Sequence, residues 1–161
     1  MIAEPIVYVS ESALERLRVS AAHSHPLETG GILIGVTAGD SPWVTEVRTF
    51  DSPGRGPAQF ILPRGVTQRA VRDARRADAR LGYIGDWHSH PADVPASRTD
   101  LLTTRTTSLA MRRSVLLLVA RHRGTTYALD MSMARGTRIV PCRMIPTGDL
   151  PLPAHQTDTT S

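Results

Sequence analysis

From Ser114 to His122 the chain reads Ser-Val-Leu-Leu-Leu-Val-Ala-Arg-His, with every position between Val115 and Ala120 apolar. Successive side chains of a strand point to opposite faces, so such a run must be covered on both sides at once. Gly30-Gly-Ile-Leu-Ile-Gly-Val36 is a second apolar, glycine-flanked run suited to a buried strand, and the alternating Trp43-Val-Thr-Glu-Val-Arg-Thr-Phe50 suits its antiparallel partner. Further strands are expected at residues 6–9, at residues 83–90, after a hairpin through Arg123-Gly124, and at residues 138–145, where Pro141 suggests a place near an edge. Helical patterns lie between them. Ser12-Ala-Leu-Glu15 has capping-box spacing and opens a helix through about Ala22, which must stop before Pro26 because a residue preceding proline disfavours helical geometry. Val66, Ala70, Ala74, Ala77 and Leu81 repeat at helical spacing within residues 64–81, and a third helix is expected from Thr99 to Met111. Strands and helices interleave, which implies one α/β domain: a single mixed sheet flanked by helices over residues 1–145. Residues 51–59, Asp-Ser-Pro-Gly-Arg-Gly-Pro-Ala-Gln, form a loop by composition, and the proline- and threonine-rich residues 146–161 are expected to be a flexible C-terminal tail.

Composition narrows the function classes. A chain of 161 residues with 40% apolar content suits one globular domain. Aromatic residues make up only 4%, too few for the stacking platforms of single-strand nucleic-acid binders. No apolar run approaches the ~20 residues that span a bilayer, and the start lacks the basic and apolar regions of a signal peptide. Cys142 stands alone, which excludes an internal disulfide and a paired-cysteine zinc pattern. A cytoplasmic protein with no membrane role is the expectation from these features. All 19 basic residues are arginine, giving a net charge of +4. A basic balance of this size is weak evidence for nucleic-acid binding.

The tetrapeptide His-Ser-His-Pro occurs twice, at residues 23–26 and 88–91. The first copy follows the end of a helix, and the nearest third ligand would be Glu28, crowded into the same six residues. Exposed loop histidines are the expectation there. The second copy ends a strand, where residues i and i+2 share a face, so His88 and His90 can aim two imidazoles at one point. After a proline-bounded loop comes Ser97-Arg-Thr-Asp100, and Asp100 would complete two histidines and a carboxylate, a set used by catalytic zinc. The same Ser-x-x-Asp is also a helix-capping signature, so Ser97 and Asp100 could simply start a helix.

His-x-His-Pro, a short loop and Ser-x-x-Asp, preceded by Glu28-Thr-Gly-Gly-Ile-Leu-Ile-Gly35, resemble the JAMM (MPN-plus) zinc metallopeptidase family, and the Gly-Asp-Trp before the motif is most similar to its compact bacterial JAB-domain members. The match covers roughly residues 10–129. The resemblance implies a JAB/MPN-like, cytidine-deaminase-like architecture and one zinc ion per chain, held by His88, His90 and Asp100 with water in the fourth position. It further implies Glu28 as general base and proton donor, and Ser97 as hydrogen-bond donor to the oxyanion. Zinc lowers the pKa of its water from ~15.7 toward ~7, which is the chemistry such a set would serve. Six residues separate His90 from Ser97 where the family pattern usually has seven, which leaves Asp93 as a reserve ligand.

The substrates implied are ubiquitin-like modifiers or sulfur-carrier proteins, cleaved after a C-terminal diglycine, with adenylating or conjugating enzymes of the same system as further partners. Removal from a target lysine and maturation of a carrier both remain open. The absence of lysine would protect an enzyme working beside lysine-directed conjugation, although a GC-rich genome explains it too. Arg69, Arg72, Arg76 and Arg80 line one helix face, either as a solvated face or as a surface for an acidic modifier. Two alternatives stand beside the peptidase: a basic, nucleic-acid-associated RadC-like protein, which shares the motif, and a non-catalytic MPN assembly module.

Overall fold

The computed structural model describes residues 3–38, 41–50 and 65–149. Its elements in chain order are β1 (Ile6–Ser10), α1 (Glu11–Ser24), β2 (Gly30–Ala38), β3 (Ser41–Phe50), α2 (Val66–Ala77), β4 (Gly82–His90), α3 (Arg98–Met111), β5 (Val115–Arg123), β6 (Thr126–Arg135) and β7 (Arg138–Thr147). The strands form one mixed sheet in the order β1-β3-β2-β4-β5-β6-β7, and β1 closes it by pairing in parallel with both β3 and β7. The mixed sheet follows the sequence expectation, and its closure into a barrel goes beyond it. The loop expected at residues 51–59 lies outside the described residues.

The doubly apolar run is flanked by strands on both sides. β5 pairs in parallel with β4 and antiparallel with β6, and Val115 to Ala120 are all buried. Leu116, Leu118 and Ala120 pack in one core with Leu14, Leu17 and Trp87, so α1 covers that face. Val115 packs in a second core with Ile32, Ile34, Ala70 and Ala74, so α2 lies over the opposite face. α3 joins α2 on this second side and contacts β5 and β6. Burying such side chains fully contributes about 1.5–3 kcal/mol each, which explains why the sheet needs cover on both sides.

Four local expectations shift. The N-cap of α1 is Ser10, not Ser12: the Ser10 hydroxyl accepts the Ala13 N–H at 3.3 Å, while Ser12 donates its hydroxyl to Asp149 at 2.7 Å. α2 ends at Ala77, four residues before Leu81, because Asp78 turns to extended geometry and its carboxylate accepts the Arg80 N–H at 2.9 Å and the guanidinium at 2.7 Å. β7 is not an edge strand, since β6 and β1 flank it; Pro141 is tolerated because β1 pairs only from Arg143 onward. Finally, β7 continues to Thr147, so the first residues expected in the tail are paired, Pro146 with Val9.

Candidate metal centre

A bulge sets the face on which the site is built. Along β4 the partners on β2 run from Gly85 opposite Leu33 to Tyr83 opposite Ile34, which leaves Ile84 as the extra residue. Tyr83 and Asp86 thereby share a side, and the Tyr83 hydroxyl donates to the Asp86 carboxylate at 2.7 Å. Burial pushes the Asp86 carboxyl up to about 6, against the hydrogen bond from Tyr83, which favours the ionised form. From Asp86 onward the period of two carries His88 and His90 on the same side. Gly85 itself must be glycine, because a Cβ there would lie 2.3 Å from the Leu116 carbonyl oxygen of β5.

The His88 and His90 Nε2 atoms lie 3.0 Å apart. Asp100, in the first turn of α3, brings its Oδ2 to 3.4 Å from His88 Nε2 and 3.6 Å from His90 Nε2. One ligand atom from each of the three residues lies within 4.8 Å of the others. His90 Nδ1 is 2.9 Å from the Val94 carbonyl oxygen. A carbonyl only accepts, so Nδ1 carries the hydrogen, and in the neutral ring Nε2 presents its lone pair to the centre. The donor set is thus two imidazole nitrogens and a carboxylate oxygen, a combination that suits zinc and related divalent ions.

Ser97 and Asp100 also form a full capping box. The Ser97 Oγ accepts the Asp100 N–H at 3.1 Å, and Asp100 Oδ2 accepts the Ser97 N–H at 2.6 Å. The capping box and the approach of Asp100 to the histidines are therefore one arrangement: the cap that starts α3 is what turns the carboxylate toward them. Burial raises the Asp100 carboxyl, but hydrogen bonds from the His88 and His90 rings when protonated, the charge of His88 and the Ser97 N–H outweigh it and hold the group well below the usual carboxylate range. The loop of six residues thus carries Asp100 as far as the histidines. Asp93, the reserve ligand, faces elsewhere and is ion-paired with Arg121 and Arg123.

Glu28 stands two residues before β2. Gly30 pairs with His88 and Gly31 with Trp87, a register that continues to place Glu28 opposite His90. Its Oε1 lies 4.0 Å from His90 Nε2, and the residue is only 9% exposed. Burial raises its carboxyl above the ordinary carboxylate range, with His90 and His88 opposing the shift and Asp100 adding to it. Ser89, between the two histidines, points to the other side and fixes this approach: its hydroxyl accepts the Thr29 N–H at 3.1 Å and its N–H donates to the Thr29 carbonyl at 2.8 Å. Sequence reasoning passed over Ser89 and Val94. The period of two would have found Ser89, whereas nothing local signals the Val94 carbonyl.

The first His-Ser-His-Pro contributes no ligand to this cluster. His23 and His25 are exposed, as expected, and His25 stacks on His122 at 4.0 Å. Beside the centre a groove of about 880 Å³ runs between α2 and α3, lined by Tyr83, Asp86, Arg72, Arg75, Thr103 and Met111 among others. Among the described residues no helix is long and apolar enough to cross a membrane.

Residues 10–134 match the model for prokaryotic homologues of the JAB domain, and the chain belongs to that family. It is 27% identical over 156 residues to a CD-NTase/cGAS isopeptidase of Enterobacter hormaechei, covering 91% of this chain and 78% of the relative. A CD-NTase/cGAS isopeptidase of Vibrio cholerae is 31% identical over 123 residues, with 72% and 76% covered. A probable metalloprotease of Sinorhizobium fredii is 30% identical over 90 residues, 53% of this chain and 54% of that protein. A solution structure of a Desulfitobacterium hafniense protein shares the fold, with a TM-score of 0.72 over 89% of this chain and 94% of that one at 21% identity.

Proposed function

We propose that this chain is a zinc-dependent isopeptidase that cleaves after the C-terminal glycine of a ubiquitin-like modifier. The observation that carries the reading is the convergence of His88, His90 and Asp100 within 4.8 Å, with the buried Glu28 carboxylate 4.0 Å from His90. His88, His90 and Asp100 are the residues that would hold the metal, which supplies a Lewis acid and an acidified water when bound. Glu28 takes the proton of the incoming water and returns it to the leaving amine, and its burial suits that exchange because the carboxylate is less acidic than in water. Ser97 accepts through Oγ in the cap, so its hydroxyl hydrogen is left to donate to the carbonyl oxygen as charge develops, a contribution of about 3 kcal/mol. Relatives described as CD-NTase/cGAS isopeptidases favour removal of a modifier from a conjugated protein over maturation of a sulfur carrier. They also favour adenylating or conjugating enzymes of the same system as partners. The groove between α2 and α3 offers room for an extended tail leading to the centre.

The test uses two substrates joined through a diglycine, one an isopeptide conjugate on a lysine and one a linear fusion, with and without a chelator. Metal-dependent cleavage of the isopeptide conjugate, absent in Glu28→Ala, is the expected result. Failure of the zinc-loaded, folded chain to cleave either substrate would sink the proposal.

A further inference from the structure

The loop of residues 91–96 supplies no ligand, yet two parts of the centre depend on where it lies. Its Val94 carbonyl fixes the His90 ring, and its far end begins the Ser97–Asp100 cap. The backbone does little to hold it, with the Val94 N–H to Ala92 carbonyl bond at 2.9 Å as its internal tie. Ala92, Asp93, Val94 and Pro95 are all exposed.

What does hold it is a side chain from the neighbouring strand. Arg121 of β5 is the register partner of His90, so the two leave the sheet on the same side in the same row. Its guanidinium is anchored by Asp130 of β6, through Nε to Oδ2 at 2.6 Å and Nη2 to Oδ1 at 3.1 Å. Asp130 is the register partner of Val119, one row back on that same side. The remaining Nη1 donates to the Asp93 carboxylate, and Arg123 stands 3.5 Å from the same carboxylate. A fork held bidentately by one carboxylate has a fixed direction, which a lone surface pair lacks.

We infer that Arg121, held by Asp130 and gripping Asp93, is a positioning residue that sets the loop between His90 and α3 so that the Val94 carbonyl and Asp100 arrive together at the metal centre. This rests on His88, His90 and Asp100 being metal ligands. Partners that orient ligands typically change metal affinity by about 10–100-fold when removed.

Zinc affinity, measured by competition with a chromogenic chelator, tests this on Asp93→Ala, Arg121→Met, the double variant, and Arg123→Met. The melting temperature of each metal-free protein and the visible spectrum of each cobalt-loaded protein are recorded alongside. Asp93→Ala and Arg121→Met should each weaken zinc binding about 10-fold and alter the cobalt spectrum. The double variant should be no worse than either single, because each single change already breaks the Arg121–Asp93 contact. Melting should shift by no more than about 3 °C for Asp93→Ala, since partly exposed ion pairs contribute little to stability. Arg123→Met should stay within twofold of the unaltered chain. Affinities within twofold for both single variants, or losses that add in the double, would overturn the clasp while leaving the ligand set standing. Zinc retained in His88→Ala/His90→Ala would overturn the ligand set and the clasp together. Should Arg121→Met fail to fold, the exposed Asp93→Ala decides the matter alone.

Discussion

The two His-Ser-His-Pro segments have the same four residues and opposite fates. The first straddles the end of α1, where side chains two apart along a helix point to different sides, and its histidines are exposed. The second ends β4, where side chains two apart share a side, and its Nε2 atoms come within 3.0 Å. Neighbours widen the gap. His25 finds an aromatic ring, His122, whereas His88 and His90 find a carboxylate. A tetrapeptide therefore carries no function by itself; the backbone period beneath it and the next element along the chain decide. The comparison is not wholly one-sided, since Glu28, two residues past the first copy, is the group that reaches the second.

The largest expected effect separates the copies by metal content. His88→Ala/His90→Ala should abolish zinc binding, and His23→Ala/His25→Ala should leave about one zinc per chain by mass spectrometry of the untagged protein. At a zinc concentration a thousandfold above the dissociation constant, only the first pair should forfeit a stabilisation of about 4 kcal/mol in thermal melts. Next in size, Glu28→Gln should keep its zinc and lose about 10²–10⁴-fold in kcat against a diglycine-linked conjugate. Loss of zinc along with activity would instead make Glu28 a ligand. The middle residues give a finer contrast. Ser89→Ala should destabilise the metal-free protein by about 1 kcal/mol in urea melts by removing the acceptor for the Thr29 N–H. Ser24→Ala should fall within about 0.5 kcal/mol of the unaltered chain. The smallest effect belongs to His25→Ala, an exposed substitution expected within the same margin, about 0.5 kcal/mol. A larger loss there would show that the stack on His122 holds α1 against β5.

Much of this was open to reading in the sequence because it follows from local periods. The apolar run at Val115 to Ala120 demanded two-sided cover, and the strand period paired His88 with His90. What escaped reading depends on distant partners. Closure of the sheet requires β1 to meet β7, more than a hundred residues later, and a strand of five residues does not announce two neighbours. Ser10 and Ser12 are equally good caps by type, and the choice falls to Ser10 because the Ser12 hydroxyl is taken by Asp149. Asp93 reads as a spare ligand until the fold sets Arg121 beside it. Only the register of β4 on β5 reveals that.

The double use of Asp100 has a consequence for how the centre comes into being. The carboxylate that faces the histidines is the one that caps the first turn of α3, so it is presented only once that turn is wound. In refolding experiments the final rise in metal affinity should accordingly coincide with the docking of α3 and not precede it. An ion captured earlier would have two imidazoles at most. The centre is, in this sense, a timer that registers when the last-needed helix has settled onto the sheet.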